Sequence, residues 1–152
     1  MIGRLGRLAT LLWLLTAAIS ASANELLIAR SPLAFEEAML ALQDSIREHG
    51  YTLSRVQRVD IGLTTFGYKT DKYRVVFFGR PEEIRRLSRA YPDLIPYLPL
   101  KIAIFAENDQ TLLVTANPVL LERFYRHPEL RPVFERWARD IQDMLDEVRE
   151  AE

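Results

Sequence analysis

The sequence predicts an α+β domain built on an antiparallel sheet. Three observations predict it. Two segments carry apolar residues at helical spacing, five shorter runs are rich in β-prone residues, and the connections between the later runs are too short for parallel crossovers. No internal repeat or low-complexity tract is visible.

Residues 1–23 read as a secretory signal rather than as part of the domain. Arg4 and Arg7 give the positive start, Leu8 to Ile19 the short apolar stretch, and Ala21-Ser22-Ala23 the small residues of a cleavage site before Asn24. The apolar run is shorter than the roughly 20 residues that a bilayer crossing needs. The expectation is a periplasmic or secreted chain, free of the membrane once the signal is cleaved, with residues 24–152 as a single domain.

Asn24 to Arg30 forms a first β-prone run. Ser31-Pro32 follows as a cap and a first helical residue, so a helix is expected from Pro32, with Phe35, Met39, Leu42 and Ile46 inward and Gly50 closing it. From Tyr51 to Phe66 the period falls to two, which predicts a long strand bent near Gly62. Gly67 to Lys72 then reads as a polar turn and Tyr73 to Phe78 as the antiparallel partner strand. A small helix is expected after Pro81, with Ile84, Leu87 and Tyr91 inward, before Pro92, Pro96 and Pro99 break the pattern.

Leu100 to Ala106 and Thr111 to Ala116 are two further strands about the turn Glu107 to Gln110. Asn117-Pro118 opens a helical region that His127-Pro128 interrupts. A long amphipathic helix ends the chain, with Phe134, Trp137, Ile141, Met144, Leu145 and Val148 on one stripe. The element order is therefore β-α-β-β-β-β-α, with the small helix between the third and fourth strands.

Composition excludes several functions. The chain has 20 basic and 21 acidic residues, and losing Arg4 and Arg7 makes it more acidic still, so a nucleic-acid partner is not expected. With no cysteine there is no disulfide, thiol catalysis, covalent haem or thiolate metal site. His49 and His127 are the only histidines and lie far apart in sequence, so neither a metal nor a cofactor is expected. Ser54 and Ser88 lack any hydrolase signature.

The stretch Gly79-Arg80-Pro81-Glu82-Glu83 follows a strand and opens a helix, as phosphate cradles do. It has one glycine only, and its two acids occupy the place of an anion, which marks a helix start and not a ligand site. The best polar cluster is Asp60, Tyr68, Asp71, Tyr73, Arg74 and Lys101. Within it, Asp60 with Arg74 or Lys101 reads as a cross-strand ion pair. The functional alternative is a site for a small anionic ligand formed by Asp60, Tyr68, Tyr73, Arg74 and Lys101.

Three strands are apolar on both sides. Val75 and Phe77 oppose Val76 and Phe78, Ile102 and Ile104 oppose Ala103 and Phe105, and Leu112 and Val114 oppose Leu113. Each large apolar side chain buried is worth roughly 1.5 to 3 kcal/mol, so both faces should be covered. The candidate covers are the chain's own helices, a second subunit and an apolar ligand.

Gly50, Val59-Asp60, Phe78-Gly79-Arg80-Pro81, Leu98-Pro99-Leu100-Lys101 and Asn117-Pro118, in that order and spacing, resemble the family called domain of unknown function 302. The resemblance covers about Ala29 to Pro118, and the C-terminal helical region 118–150 matches less closely. It implies a TATA-binding-protein-like α+β architecture, often paired as a homodimer, and no established activity. Many members carry Gly-Asn-Pro where this chain has Gly79-Arg80-Pro81. The functional expectation is an exported module that binds a small molecule, a periplasmic protein or a second copy through the sheet. The alternative is an accessory hydrolase or redox enzyme using Asp60, Arg74 and Lys101.

Overall fold

The computed structural model describes residues 25–151, so the expected signal and its cleavage site lie outside the described residues. One antiparallel sheet of five strands runs in the order β1-β5-β4-β3-β2. The strands are β1 (Leu26–Ser31), β2 (Thr52–Arg58), β3 (Tyr73–Gly79), β4 (Leu100–Glu107) and β5 (Gln110–Ala116). The helices are α1 (Phe35–Glu48), α2 (Val59–Thr65), α3 (Pro81–Ala90) and α4 (Arg131–Glu150), and short 3₁₀ segments cover Pro92–Tyr97, Pro118–Arg123 and Pro128–Leu130.

Helix α1 starts three residues later than its sequence suggests. Ser31 is drawn into the β1 ladder opposite Thr111, and its Oγ accepts from the Leu33 N–H at 3.2 Å, so Ser31-Pro32 makes the turn ahead of the helix. Its far end is as expected. Gly50 adopts φ +76°, its N–H bonds to Arg47 O at 2.9 Å, and the Tyr51 N–H reaches Ile46 O at 3.1 Å. That is the paired bonding of a Schellman end, for which a residue without Cβ is favoured.

The expected long strand from Tyr51 to Phe66 is corrected. β2 ends at Arg58 and the chain turns into helix α2. β2 and β3 do pair antiparallel, with a register shift between Leu53 and Arg55, but their connection contains this helix and is no tight turn. Between β4 and β5 the turn is the two-residue loop Asn108-Asp109, with Asn108 at φ +54°, a conformation asparagine tolerates. After Pro92, where the sequence reads as irregular, the prolines are accommodated in a 3₁₀ turn.

Helices α1 and α4 pack on one face of the sheet. All six residues of the predicted α4 stripe are buried, and they meet Val76, Phe78, Ile102, Ile104 and Leu113 from the sheet together with Ala38, Leu42 and Ile46 from α1. Gly79 at the end of β3 admits this chain's close approach to α3, since a Cβ there would stand 2.3 Å from Ile84 Cδ1.

Candidate functional site

The sequence-predicted polar cluster divides between the two faces of the sheet. Arg74 lies on the helix-covered face, where its guanidinium stacks 5.6 Å from the Phe35 ring centroid and donates to Asp60 Oδ1 at 2.6 Å. Arg58 approaches the other carboxylate oxygen at 3.6 Å. Burial alone would raise the Asp60 carboxyl, but the Arg74 hydrogen bond and charge, the Ile61 N–H and Arg58 together hold it below its ordinary value. Lys72 pairs with Glu36 at 2.7 Å beside the same ring.

Tyr73 and Lys101 point to the opposite face. Tyr73 meets Phe105 edge-on at 5.9 Å, and Lys101 is exposed beside Phe77, its register partner on β3. Tyr68 is exposed beyond α2. The structure thus joins Asp60 to Arg74 and leaves Tyr68, Tyr73 and Lys101 apart from them. Asp71 is exposed in the turn before β3.

The start of α3 carries a polar network of structural kind. The Trp137 indole N–H donates to Glu83 Oε2 at 3.0 Å, and Arg136 grips the other oxygen of the same carboxylate. Arg80 donates to His49 O at 3.0 Å, approaches Asp140 at 3.5 Å and stacks over the Tyr51 ring at 4.4 Å. Tyr51 in turn donates to Asp140 Oδ2 at 2.5 Å. Burial, then the hydrogen bond to Asp140, push the Tyr51 phenol far above its ordinary value. These bonds tie the ends of α1 and β3 to α4 and fill the helix start with protein carboxylate, as the two acids there suggest.

His49 meets Glu147 at 2.9 Å, and His127 lies against the Tyr91 ring at 5.1 Å. Among the described residues, no three His, Asp or Glu side chains gather as a metal site. No helix there is long and apolar enough to cross a membrane.

The remaining feature is the open face of the sheet. Register places Val75, Phe77, Ala103, Phe105, Leu112, Val114, Ile28 and Leu26 on it. Val76 and Phe78 face the other way and are fully buried by the chain itself. On the open face Leu26 and Ile28 are exposed, and Val75, Phe77, Phe105 and Val114 are only half-buried. The expectation of cover on both faces is therefore met by the chain on one face only, among the described residues. A shallow trough along the open face is lined by Val75, Phe77, Ala103 and Val114, with Lys101 at one end. Helix α2 adds a second uncovered apolar surface. It buries none of its residues, Ile61 is exposed, and Phe66 beyond it is 79% exposed.

A comparison with family models matches residues 28–151 to "Domain of unknown function DUF302". The chain belongs to the DUF302 family. Among solved structures, it is similar to the crystal structure of an uncharacterized conserved DUF302 protein from Bacillus stearothermophilus, with 19% identity and a TM-score of 0.75. The alignment covers 84% of this chain and 100% of that one, so the α+β fold is that of the family. The DUF302 match extends through α4, farther than the Ala29 to Pro118 span whose motifs carry the resemblance in the sequence. A comparison with curated proteins found no match.

Proposed function

We propose that this DUF302 chain is an exported binding module that pairs with a second copy of itself through the open face of its sheet. The observation that carries the reading is the uncovered row Val75, Phe77, Ala103, Phe105 and Val114 at the centre of that face. Five strands about 4.8 Å apart, each offering some six residues of 3.3 Å, span roughly 20 Å by 20 Å. This face of about 400 Å², which also carries Gln57 and Lys101, is comparable to the ~300–600 Å² of a typical monomer's largest apolar patch. Two such faces bury about 800 Å² in all, short of the ~1,000 Å² of a stable interface and in the range of a weak, concentration-dependent pair.

A second copy fits this face better than an unlike partner because the patch is self-complementary in kind. Large residues (Phe77, Phe105) alternate with small ones (Ala103), and a two-fold axis brings the same patch to both sides. Sheets stack face to face in this way about 10 Å apart. Export to the periplasm rests on the layout of residues 1–23.

The accessory-enzyme reading has less support. Asp60 is engaged by two guanidiniums, and Lys101 lies across the sheet from it. Native mass spectrometry of the protein purified from its own cell envelope tests both the pairing and the export. The expected species is a dimer whose chains begin at Asn24; a monomer, or a chain retaining residues 1–23, contradicts the corresponding half of the reading.

A further inference from the structure

A row of register partners crosses one end of the open face: Arg55 on β2, Phe77 on β3 and Lys101 on β4. Directly opposed residues of a ladder share a face, so the two cations flank Phe77 on the open side. Two strand spacings of about 4.8 Å separate their backbones, near enough for two long side chains to meet one anion between them. Arg55 and Lys101 are exposed and make no ion pair among the described residues. The acids of this face stand at its other end, where Arg30 already holds Glu107 and where Asp71 lies beside Tyr73 and Phe105.

From the cationic end the trough follows β4. Ala103 is its floor, and the register partners of Ala103, Val75 and Val114, are its sides. Phe105 and Tyr73, in edge-on contact at 5.9 Å, stand at the far end. The rise from Lys101 to Phe105, four residues along the strand, is about 13 Å.

We propose that this trough binds a free medium-chain carboxylate, with its head between Arg55 and Lys101 and its tail over Ala103 toward Phe105. Two free cations at one end, an apolar length and acids only at the other end select a ligand that is apolar along its length and anionic at one end. The same asymmetry disfavours a bilayer, whose anionic head groups would need cations all round the rim of the face. Like the pairing of two copies, this binding rests on the reading of the open face as uncovered in the single chain. The carboxylate competes with the second copy for that face, and a pair burying about 800 Å² is weak enough to be displaced.

The test is titration with octanoate, octanol and octylamine, followed by backbone amide NMR shifts and by sedimentation. It uses the wild-type protein, the double variant Arg55→Met with Lys101→Met, and Ala103→Phe, each checked for fold by circular dichroism. Octanoate is expected to saturate the wild type at or below about 1 mM, with shifts at Val75, Phe77, Lys101 and Ala103, and to drive a pair toward single chains. The double variant keeps apolar stems without the charges, and should weaken octanoate about tenfold while leaving octanol unchanged. Ala103→Phe fills the trough and should weaken both. Octanoate that fails to saturate the wild type, binds no tighter than octylamine, or binds the double variant as tightly overturns the proposal. So do shifts centred on Leu100, Leu120 and Ile141, and so does binding to vesicles of anionic lipid where octanoate does not saturate. A wild type that is a single chain throughout yet saturates with octanoate contradicts the pairing alone, and a dimer that octanoate leaves unshifted contradicts the binding alone.

Discussion

Gly67 ends helix α2 in the same way that Gly50 ends α1. In each case the glycine takes positive φ, at +83° and +76°, and a tyrosine follows whose N–H reaches back into the helix. For α2 the Gly67 N–H bonds to Thr64 O at 3.0 Å and the Tyr68 N–H to Leu63 O at 3.1 Å. Both are Schellman ends, and the second shows why Val59–Thr65 is a helix and not the continuation of a strand.

This geometry gives opposite expectations for two glycines five residues apart, Gly62 and Gly67. Gly67→Ala forces a Cβ into the left-handed region and should lower stability by about 1 kcal/mol. Gly62 lies inside α2, and a Cβ there meets nothing within 4 Å, so Gly62→Ala should raise stability by up to about 1 kcal/mol. Urea midpoints check both, and Cα chemical shifts over residues 59–65 check the helix directly. A loss of stability at Gly62, or strand-like shifts, would contradict α2.

Glu83 is expected to be structural. Replacing it with leucine leaves the buried Trp137 N–H without an acceptor and Arg136 without its carboxylate, which should cost about 1 to 3 kcal/mol. Glu83→Gln keeps an acceptor for Trp137 and should cost less. Phosphate should not stabilise the wild type beyond its general salt effect, because protein carboxylates occupy the start of α3. A saturable phosphate effect on the melting temperature would count against this assignment.

Tyr51 should give the protein an alkaline limit. Its phenol is pushed up from an ordinary value of 10.0, so the folded state resists deprotonation that the unfolded chain accepts. The associated stability is complete below pH 10.0 and declines as pH rises above it. Tyr51→Phe removes the bond to Asp140, should cost about 1 to 2 kcal/mol at neutral pH, and should flatten this alkaline decline.

At the acid end the sign reverses. Asp60 and Glu147 are both held below their ordinary values of 3.8 and 4.5, Asp60 against the opposing effect of burial by Arg74, and Glu147 likewise by Ser45 and His49. Their contribution is present above those values and is lost as pH falls below them. Asp60→Asn should therefore shallow the acid limb of a stability profile as pH falls below the ordinary carboxyl value of 3.8, measured by denaturant midpoints.

The parts of this fold legible in the sequence were those where one period dominates over enough residues. The α4 stripe from Phe134 to Val148 and the strands around Val76 and Ile102 are of that kind. Helix α2 was hidden because Val59, Ile61 and Leu63 alternate as a strand would, although Phe66-Gly67-Tyr68 repeats the end signal of His49-Gly50-Tyr51. Parity alone separates Arg74 from Tyr73, since adjacent strand residues face opposite ways, and Phe77 carries Lys101 to the Tyr73 side. The Tyr51, Arg80 and Asp140 network was beyond reach, because its members are distant in sequence and have no shared period.

The pairing of two chains through the open sheet face is tested most directly by sedimentation equilibrium on the wild type and on Phe77→Lys. Phe77 is half-buried in the single chain and faces away from α1 and α4, so the variant should keep its fold by circular dichroism. The expected result is a wild-type mass of two chains that falls to one in the variant. A wild type that sediments as a single chain, or a Phe77→Lys protein that remains a dimer, would contradict it.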